Sequence, residues 1–316
     1  MKKLMQRYHN YTLQKLITNL KQKLEVLSNK EILEFEVLNP DIASSLYNGN
    51  LITVKGKEYI YRGYKTWLDL AHLLGCKMLT PLVIDENFII MRYEKLNADV
   101  SFHTQETPKE EKYGKNSIFS EIHKNEEAGF IYYFTQALQN AKVSKRQRIL
   151  NLGVNSGDEF EAIISLVSNF DELELVGIDY CSSAIEEAQE KFSAFKNIRF
   201  FEHDINDLES LNLGEFDLII SIGTLQSSNL EFNKLLMSVV QNQLKREGAM
   251  ILGFPNCRWI DGEMIYGARV KNYSFSEMGL LYKDVVFSKK YLQQKKFRVT
   301  LTGKDYIFLT ATSIKK

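Results

Sequence analysis

A hydrophobic run at 148–152 breaks into "LGVNSGDEF", so that Gly153 and Gly157 bracket a short loop ahead of a helix-like stretch. Gly153 removes a side chain where a ligand would approach the backbone, and Gly157 permits a tight turn that presents free helix amides. Asp158 and Glu159 come directly after it. Two carboxylates suit the positive end of a helix and would repel a phosphate docked there. The same two glycines also serve an ordinary strand-to-helix turn, so the loop is informative only beside the later apolar runs of the chain. A second apolar run ends in Ile178-Asp179-Tyr180, with Asp179 twenty-six residues after Gly153. A carboxylate there can accept both hydroxyls of a ribose. A third run ends in "EHDI", which puts Asp204 in a corresponding place, able to take the amino group of an adenine. A fourth ends in "SIGTLQS", whose small residues, Ser221 and Gly223 among them, leave room for a ligand. Each aspartate alone is as well explained as a surface cap. In order, at the ends of successive apolar runs, the set describes a nucleoside-bearing ligand laid along one edge of a sheet.

Other chemistry-bearing residues gather in a long insertion, 255–287, "PNCRWIDGEMIYGARVKNYSFSEMGLLYKDVVF". Arg258, Trp259, Tyr266, Arg269, Lys271 and Tyr273 supply aromatics to stack on a planar acceptor and cations to hold an anion. The alternative is that the aromatics only pack the insertion onto its sheet. Unstructured loops of this length are uncommon in compact domains, so the segment is expected to have a task. Cys257 is a candidate nucleophile, or else a small buried hydrophobe. His203 adjoins Asp204, and His103 and His123 flank a polar stretch. None of these has metal-ligand spacing, and no metal is expected.

These residues need elements to place them. From about residue 128 the chain alternates strand and helix, with strands at 148–153, 173–178, 198–202, 216–222 and 249–254 and helices at 128–141, 157–168, 182–194 and 229–246. Short β-rich runs alternating with amphipathic helices imply a parallel sheet covered on both faces. The last two runs, 297–302 and 306–312, are separated only by Gly303-Lys304-Asp305, so they form a hairpin and the final strand is antiparallel. The fold class is α/β, a doubly wound, seven-stranded, mostly parallel sheet closed by a C-terminal hairpin, beside a smaller N-terminal α+β module. That module, 1–103, has helical spacing at Leu13, Leu16, Ile17, Leu20, Leu24 and Leu27, and a break at Asn39-Pro40-Asp41. It continues with a hairpin at 50–63, a helix over 65–79 ending near Gly75, and a strand at 87–96. Residues 104–127 read as a polar linker, or a cover over the site, ahead of the domain at 128–316.

The chain has 316 residues, 44% hydrophobic and 25% charged, the profile of a soluble globular protein of one large or two ordinary domains. No apolar stretch approaches the roughly 18 residues of a membrane span, and the basic N-terminal segment lacks the apolar core of a signal peptide. Three widely spaced cysteines favour reduced thiols in the cytoplasm. Lysine plus arginine equals aspartate plus glutamate at 40 each, yet 1–24 and 288–304 each hold six basic residues and no acid. These segments are either solvated faces or a divided footprint for RNA. Lys-, Asn- and Ile-rich usage suggests a bacterial genome. Nothing in the sequence sets an oligomeric state.

Residues 128–316, about 60% of the chain, resemble a class I S-adenosylmethionine-dependent methyltransferase. The resemblance implies S-adenosylmethionine as cofactor, with Gly153, Val154, Asn155 and Gly157 facing its methionine part. Asp179 and Tyr180 would lie at the ribose, Asp204 and Ile205 at the adenine, and Ser221 and Gly223 beside them. "LKREGAMIL" is similar to the family's turn into its fifth strand, without the proline. Two asparagines depart from the pattern. Asn151 replaces an acid that helps orient the methionine amino group, and Asn155 replaces a glycine, although asparagine tolerates positive φ better than most residues. Its side chain could also bond the cofactor. Methyl transfer from a sulfonium is an in-line displacement, so a general base is needed only where the acceptor must lose a proton. No diagnostic catalytic motif is present. The acceptor is RNA, tRNA especially, or a small aromatic or anionic metabolite. A non-catalytic binding protein, or a transferase using a modified cofactor, is the alternative.

Overall fold

The computed structural model describes residues 5–101, 112–227, 230–268 and 277–314. The chain divides into two compact units, one of residues 1–104 with 259–266 and one of 105–258 with 267–316.

In the first unit, β1 (Gln6–Arg7), β2 (Ile32–Leu38), β5 (Cys76–Val83) and β6 (Phe88–Lys95) form a sheet in the order β1-β2-β6-β5. Helix α1 (Leu13–Glu25) starts where the Thr12 hydroxyl accepts from the Lys15 amide, and it buries Leu16, Leu20 and Leu24. β3 (Leu51–Val54) and β4 (Lys57–Ile60) pair as a separate hairpin. Helix α2 (Tyr64–Leu73) contributes Trp67, Leu70 and Ala71 to a core with Phe35, Met91 and Tyr93. One stretch with helical spacing in the sequence is a strand here: the predicted helix over 65–79 stops at Leu73, because Gly75 turns with φ +69° and Cys76 onward pairs with β6.

The second unit is built on a seven-stranded sheet. α3 (Ala128–Asn140) leads into β7 (Arg148–Leu152), then α4 (Asp158–Leu166), β8 (Glu174–Asp179), α5 (Ser182–Lys191), β9 (Ile198–Glu202), β10 (Phe216–Ile222), α6 (Phe232–Asn242) and β11 (Leu244–Pro255). After the insertion come α7 (Gly279–Gln294), β14 (Phe297–Gly303) and β15 (Tyr306–Ser313). The strand order is β14-β15-β11-β10-β7-β8-β9, and only β15 runs antiparallel to its neighbours. This is the doubly wound α/β sheet with a closing hairpin. The predicted helix over 229–246 is shorter. It ends at Asn242, and Leu244–Arg246 already belong to β11, whose Leu244 pairs with Phe216 across an irregular register. Alternation along β7 turns Leu150 and Leu152 into the core shared with α6 and α7, and leaves Asn151 on the opposite side. Among the described residues no helix is long and apolar enough to cross a membrane.

The insertion contains its own hairpin, β12 (Cys257–Ile260) and β13 (Glu263–Tyr266), turned at Asp261-Gly262 with both residues at positive φ. Its tip is fastened within the first unit. Asp261 Oδ2 accepts from the Asn97 amide (2.9 Å) and the Lys30 ammonium (2.6 Å), the Asp261 amide donates to Val100 O (2.8 Å), and Lys77 pairs with Glu263 (2.7 Å). Partial burial alone would raise the Asp261 carboxyl, but these donors hold it below its ordinary 3.8. A depressed folded-state value stabilises at neutral pH and is lost as pH falls through it. Asp261→Ala is expected to destabilise the first unit by about 1–2 kcal/mol at pH 7, read from urea midpoints, with the difference from wild type shrinking below pH 4.

Candidate functional site

The strand order reverses at β7, which has β8 on one side and β10 on the other, so a crevice opens at the carboxyl ends of these strands. The loop after β7 is anchored by Ile178 O, which accepts from the Gly153 (2.8 Å) and Val154 (3.1 Å) amides. Gly153, Asn155 and Gly157 all adopt positive φ, at +75°, +47° and +93°. Asn155 therefore occupies the left-handed conformation that glycine would otherwise fill. Its side chain is engaged within the protein, with Nδ2 donating to Tyr113 O (2.7 Å) and Oδ1 accepting from the Ser156 amide (2.9 Å). The glycines are steric requirements. A Cβ on Gly153 would stand 1.8 Å from Thr224 Oγ1, and one on Gly157 would stand 2.4 Å from the Phe192 ring.

Asp179 ends β8 and clasps the loops on either side of it. Its Oδ2 accepts from the Asn155 amide (2.9 Å) and its Oδ1 from the Cys181 amide (3.0 Å), while its carbonyl accepts from the His203 amide (2.8 Å). Burial raises the carboxyl above its ordinary 3.8, although the amides of Cys181, Asn155 and Tyr180 and the nearby Lys124 pull the other way.

Lys124 is the main surprise of the site. Residues 112–127, set apart in the sequence as linker or cover, fold as turns and short 3₁₀ segments against the loop after β7. Tyr113 meets Asn155, Asn125 Nδ2 donates to Asp158 O (2.8 Å), and the buried Lys124 ammonium bonds Glu159 Oε1 (3.0 Å) with Asp158 Oδ2 at 3.8 Å. Burial works against the charge on Lys124, but Glu159 and Asp158 more than offset it and lift its pKa above the ordinary lysine value. Glu159, 1% exposed, also accepts from Asn151 Nδ2 (3.0 Å), and Asn151 is completely buried. The sequence presents Glu159 only as a charge at a helix start and offers no signal for Lys124.

The remaining candidates separate. Asp204 is exposed, with Oδ1 accepting from the Asn206 amide and side chain (both 2.9 Å) and, among the described residues, no bond to Oδ2. Ile205 is buried and, with Asn206, Leu208 and Leu235, lines a cavity of about 530 Å³ between the 205–211 turns and α6. Neither residues 153–157 nor Asp179 line it. Val154 is buried against Gly177, so only its backbone faces the loop. Ser221 is buried too, its hydroxyl donating to Leu152 O (3.2 Å), which ties β10 to β7 instead of facing a ligand. Gly223 turns at φ +75° and packs against Pro255, and Tyr180 is exposed. Arg258 Nη1 donates to Gly267 O (2.8 Å) at the base of the insertion, and Trp259 and Tyr266 are counted with the first unit. Arg269, Lys271, Tyr273 and His103 lie outside the described residues. Cys257 is buried, and its thiol is pushed up to about 12 by burial first and then by Asp305 and Glu127. It stays protonated, so it is no nucleophile in this state. Of the basic segment 288–304, Lys295, Lys296 and Arg298 are exposed at the amino edge of the sheet, opposite the crevice. Among the described residues no cluster of histidine, cysteine and carboxylates could hold a metal.

Residues 143–302 match the family described as "Methyltransferase domain". Among curated proteins, the carboxy-S-adenosyl-L-methionine synthase of Helicobacter pylori strain HPAG1 is 27% identical over 157 residues, covering 48% of this chain and 63% of that protein. Its counterpart in strain G27 matches to the same extent. The chain thus spans just under two thirds of the length of these relatives. Among solved structures, an N-methyltransferase from Bradyrhizobium japonicum WM9 in complex with S-adenosyl-l-homocysteine is 14% identical, with 60% of this chain and 90% of that chain covered and a TM-score of 0.42. A SAM-dependent methyltransferase from Aquifex aeolicus is 15% identical, with 57% and 89% covered and a TM-score of 0.41.

Two outcomes test this geometry. Gly153→Ala is expected to destabilise the second unit by at least about 2 kcal/mol, because strain at positive φ adds to the clash with Thr224; urea midpoints measure it. The Asp179 carboxyl, monitored by NMR titration, is expected to titrate above 3.8. Because a carboxyl raised in the folded state favours the protonated form, its ionisation lowers stability as pH rises through that window.

Proposed function

The chain belongs to the methyltransferase-domain family, and from that premise we propose that it is a class I S-adenosylmethionine-dependent methyltransferase whose cofactor lies at the carboxyl edge of β7, β8, β9 and β10, with the acceptor at the ends of β10 and β11. The observation that carries the assignment is the clasp at Asp179. Its oxygens take the amides of Asn155, Cys181 and Tyr180, and of the roughly four lone-pair sites of a carboxylate one is left to receive a ribose hydroxyl. Asp204 Oδ2, without a bond, is available to an amino group. Asn151 Oδ1, buried and without a donor, supports a polar ligand group at the end of β7. The residues therefore fit the cofactor's nucleoside and leave polar atoms for its other end.

When bound, S-adenosylmethionine supplies a methyl group activated by its sulfonium. The chain contributes alignment and dryness: the loop backbone and Asp179 fix the nucleoside, and residues 112–127 cover the loop from solvent. No side chain has to remove a proton unless the acceptor requires it. Of the two acceptor classes, a small planar or anionic metabolite is favoured, because Lys295, Lys296 and Arg298 stand at the far edge of the sheet, while Lys304, in the β14–β15 turn at the carboxyl edge, pairs with Asp305. Transfer to tRNA is the other outcome of an acceptor screen. A second reading draws on the name of the curated relatives, carboxy-S-adenosyl-L-methionine synthase: the cofactor is carboxylated here or taken up in that form. Mass spectrometry of the small molecule released from purified protein separates the two readings.

Calorimetric titration with S-adenosylmethionine is expected to show micromolar binding, weakened at least tenfold, roughly 1.4 kcal/mol, by Asp179→Ala. Affinity is expected to fall on acidification, beginning above pH 3.8, because a protonated Asp179 carboxyl accepts fewer hydroxyl bonds. Folded wild-type protein that binds nothing would sink the assignment.

A further inference from the structure

Three side chains from three elements meet at the buried end of β7. Asn151 comes from the strand, Glu159 from the first turn of α4, and Lys124 from the covering segment. A carboxylate accepts, so Asn151 points Nδ2 at Glu159 (3.0 Å), which turns Oδ1 the other way, where it meets no donor among the described residues. Lys124 reaches the other oxygen of Glu159 at 3.0 Å. A carboxylate, an ammonium and a free amide oxygen in one dry place are the complement of a zwitterion. We propose that this triplet positions the α-amino-acid end of the cofactor. Asn151 Oδ1 receives the ammonium, Glu159 holds Asn151 in that orientation and places its charge behind it, and Lys124 faces the carboxylate. Glu159 is then a positioning residue, and the acid of the site stands on the helix and not on the strand. The assignment rests on the reading of this edge as the cofactor site.

The identities are interlocked. A carboxylate at 151 would face that of Glu159 at about the same 3.0 Å, and two carboxylates that close in a dry site do not both ionise. One acid is therefore accommodated between the two positions, and exchanging its place should be tolerated better than removing it.

The test uses calorimetry and thermal melting on wild type, Glu159→Gln and the double variant N151D/E159Q, with two ligands. S-adenosylmethionine has the amino-acid end, and methylthioadenosine keeps the nucleoside and lacks it. Glu159→Gln is expected to weaken S-adenosylmethionine roughly tenfold or more while changing methylthioadenosine by less than about twofold, and N151D/E159Q to recover to within about threefold of wild type. A merely structural role would weaken both ligands alike. That result, or unchanged S-adenosylmethionine binding, or a double variant that melts like wild type and recovers nothing, overturns the proposal. If Glu159→Gln fails to fold, the double variant, which keeps one carboxylate at the site, carries the test. It must then preserve the wild-type ratio of the two affinities, and a collapse of that ratio overturns the proposal. Wild-type protein that binds neither ligand removes the cofactor reading and this assignment together.

Discussion

One carboxylate, accepting backbone amides from the loops on either side of it, turns a parallel sheet into a site. Without Asp179 the loop after β7 and the start of α5 would be two independent turns. With it they share a rigid reference point, and the left-handed residues 153, 155 and 157 are held in conformations that a free chain would rarely visit. The raised pKa of Asp179 is the consequence of this placement. A charge in a dry crevice is disfavoured by burial and kept only by the amides around it. Groups under such opposing demands gather where a ligand completes their environment.

The second constraint is charge neutrality under the cover. Glu159 is 1% exposed and faces a cation, and a lysine is almost never buried unless paired. The ion pair thus does two things at once: it lets α4 present an acid to the sheet, and it holds residues 112–127 down over the loop. The packing of the cover and the electrostatics of the site are one interaction.

Much of this was legible in the sequence. The alternation of strands and helices from 128 onward, the closing hairpin and the placing of Asp179 and Asp204 at strand ends all come from period and turn residues, which are local. The illegible parts depend on partners far along the chain. Cys76–Leu79 reads as a continuing helix until β6 pairs with it. Ser221 reads as ligand-facing, but β10 is buried along most of its length, so no alternation marks which side its hydroxyl takes. Lys124 is one lysine in a charged stretch, and only a partner 35 residues away distinguishes it from the others. Asn151 and Asn155 read as departures from a pattern. In the structure one complements a carboxylate that sits elsewhere, and the other fills a backbone conformation that glycine would otherwise supply.

The fastened hairpin at 259–266 has a consequence for how the protein is made. The first unit is not a continuous stretch of chain: its last piece lies about 160 residues beyond residue 104. On a ribosome adding about 5–20 residues per second, the unit emerges incomplete and waits roughly 10 to 30 seconds for the segment that finishes it. During that interval Lys30, Lys77 and the Asn97 amide lack the acceptors they meet in the finished fold. The first unit is therefore completed only after five strands of the other unit's sheet have been translated, although it is still complete before β14 and β15 of that sheet emerge.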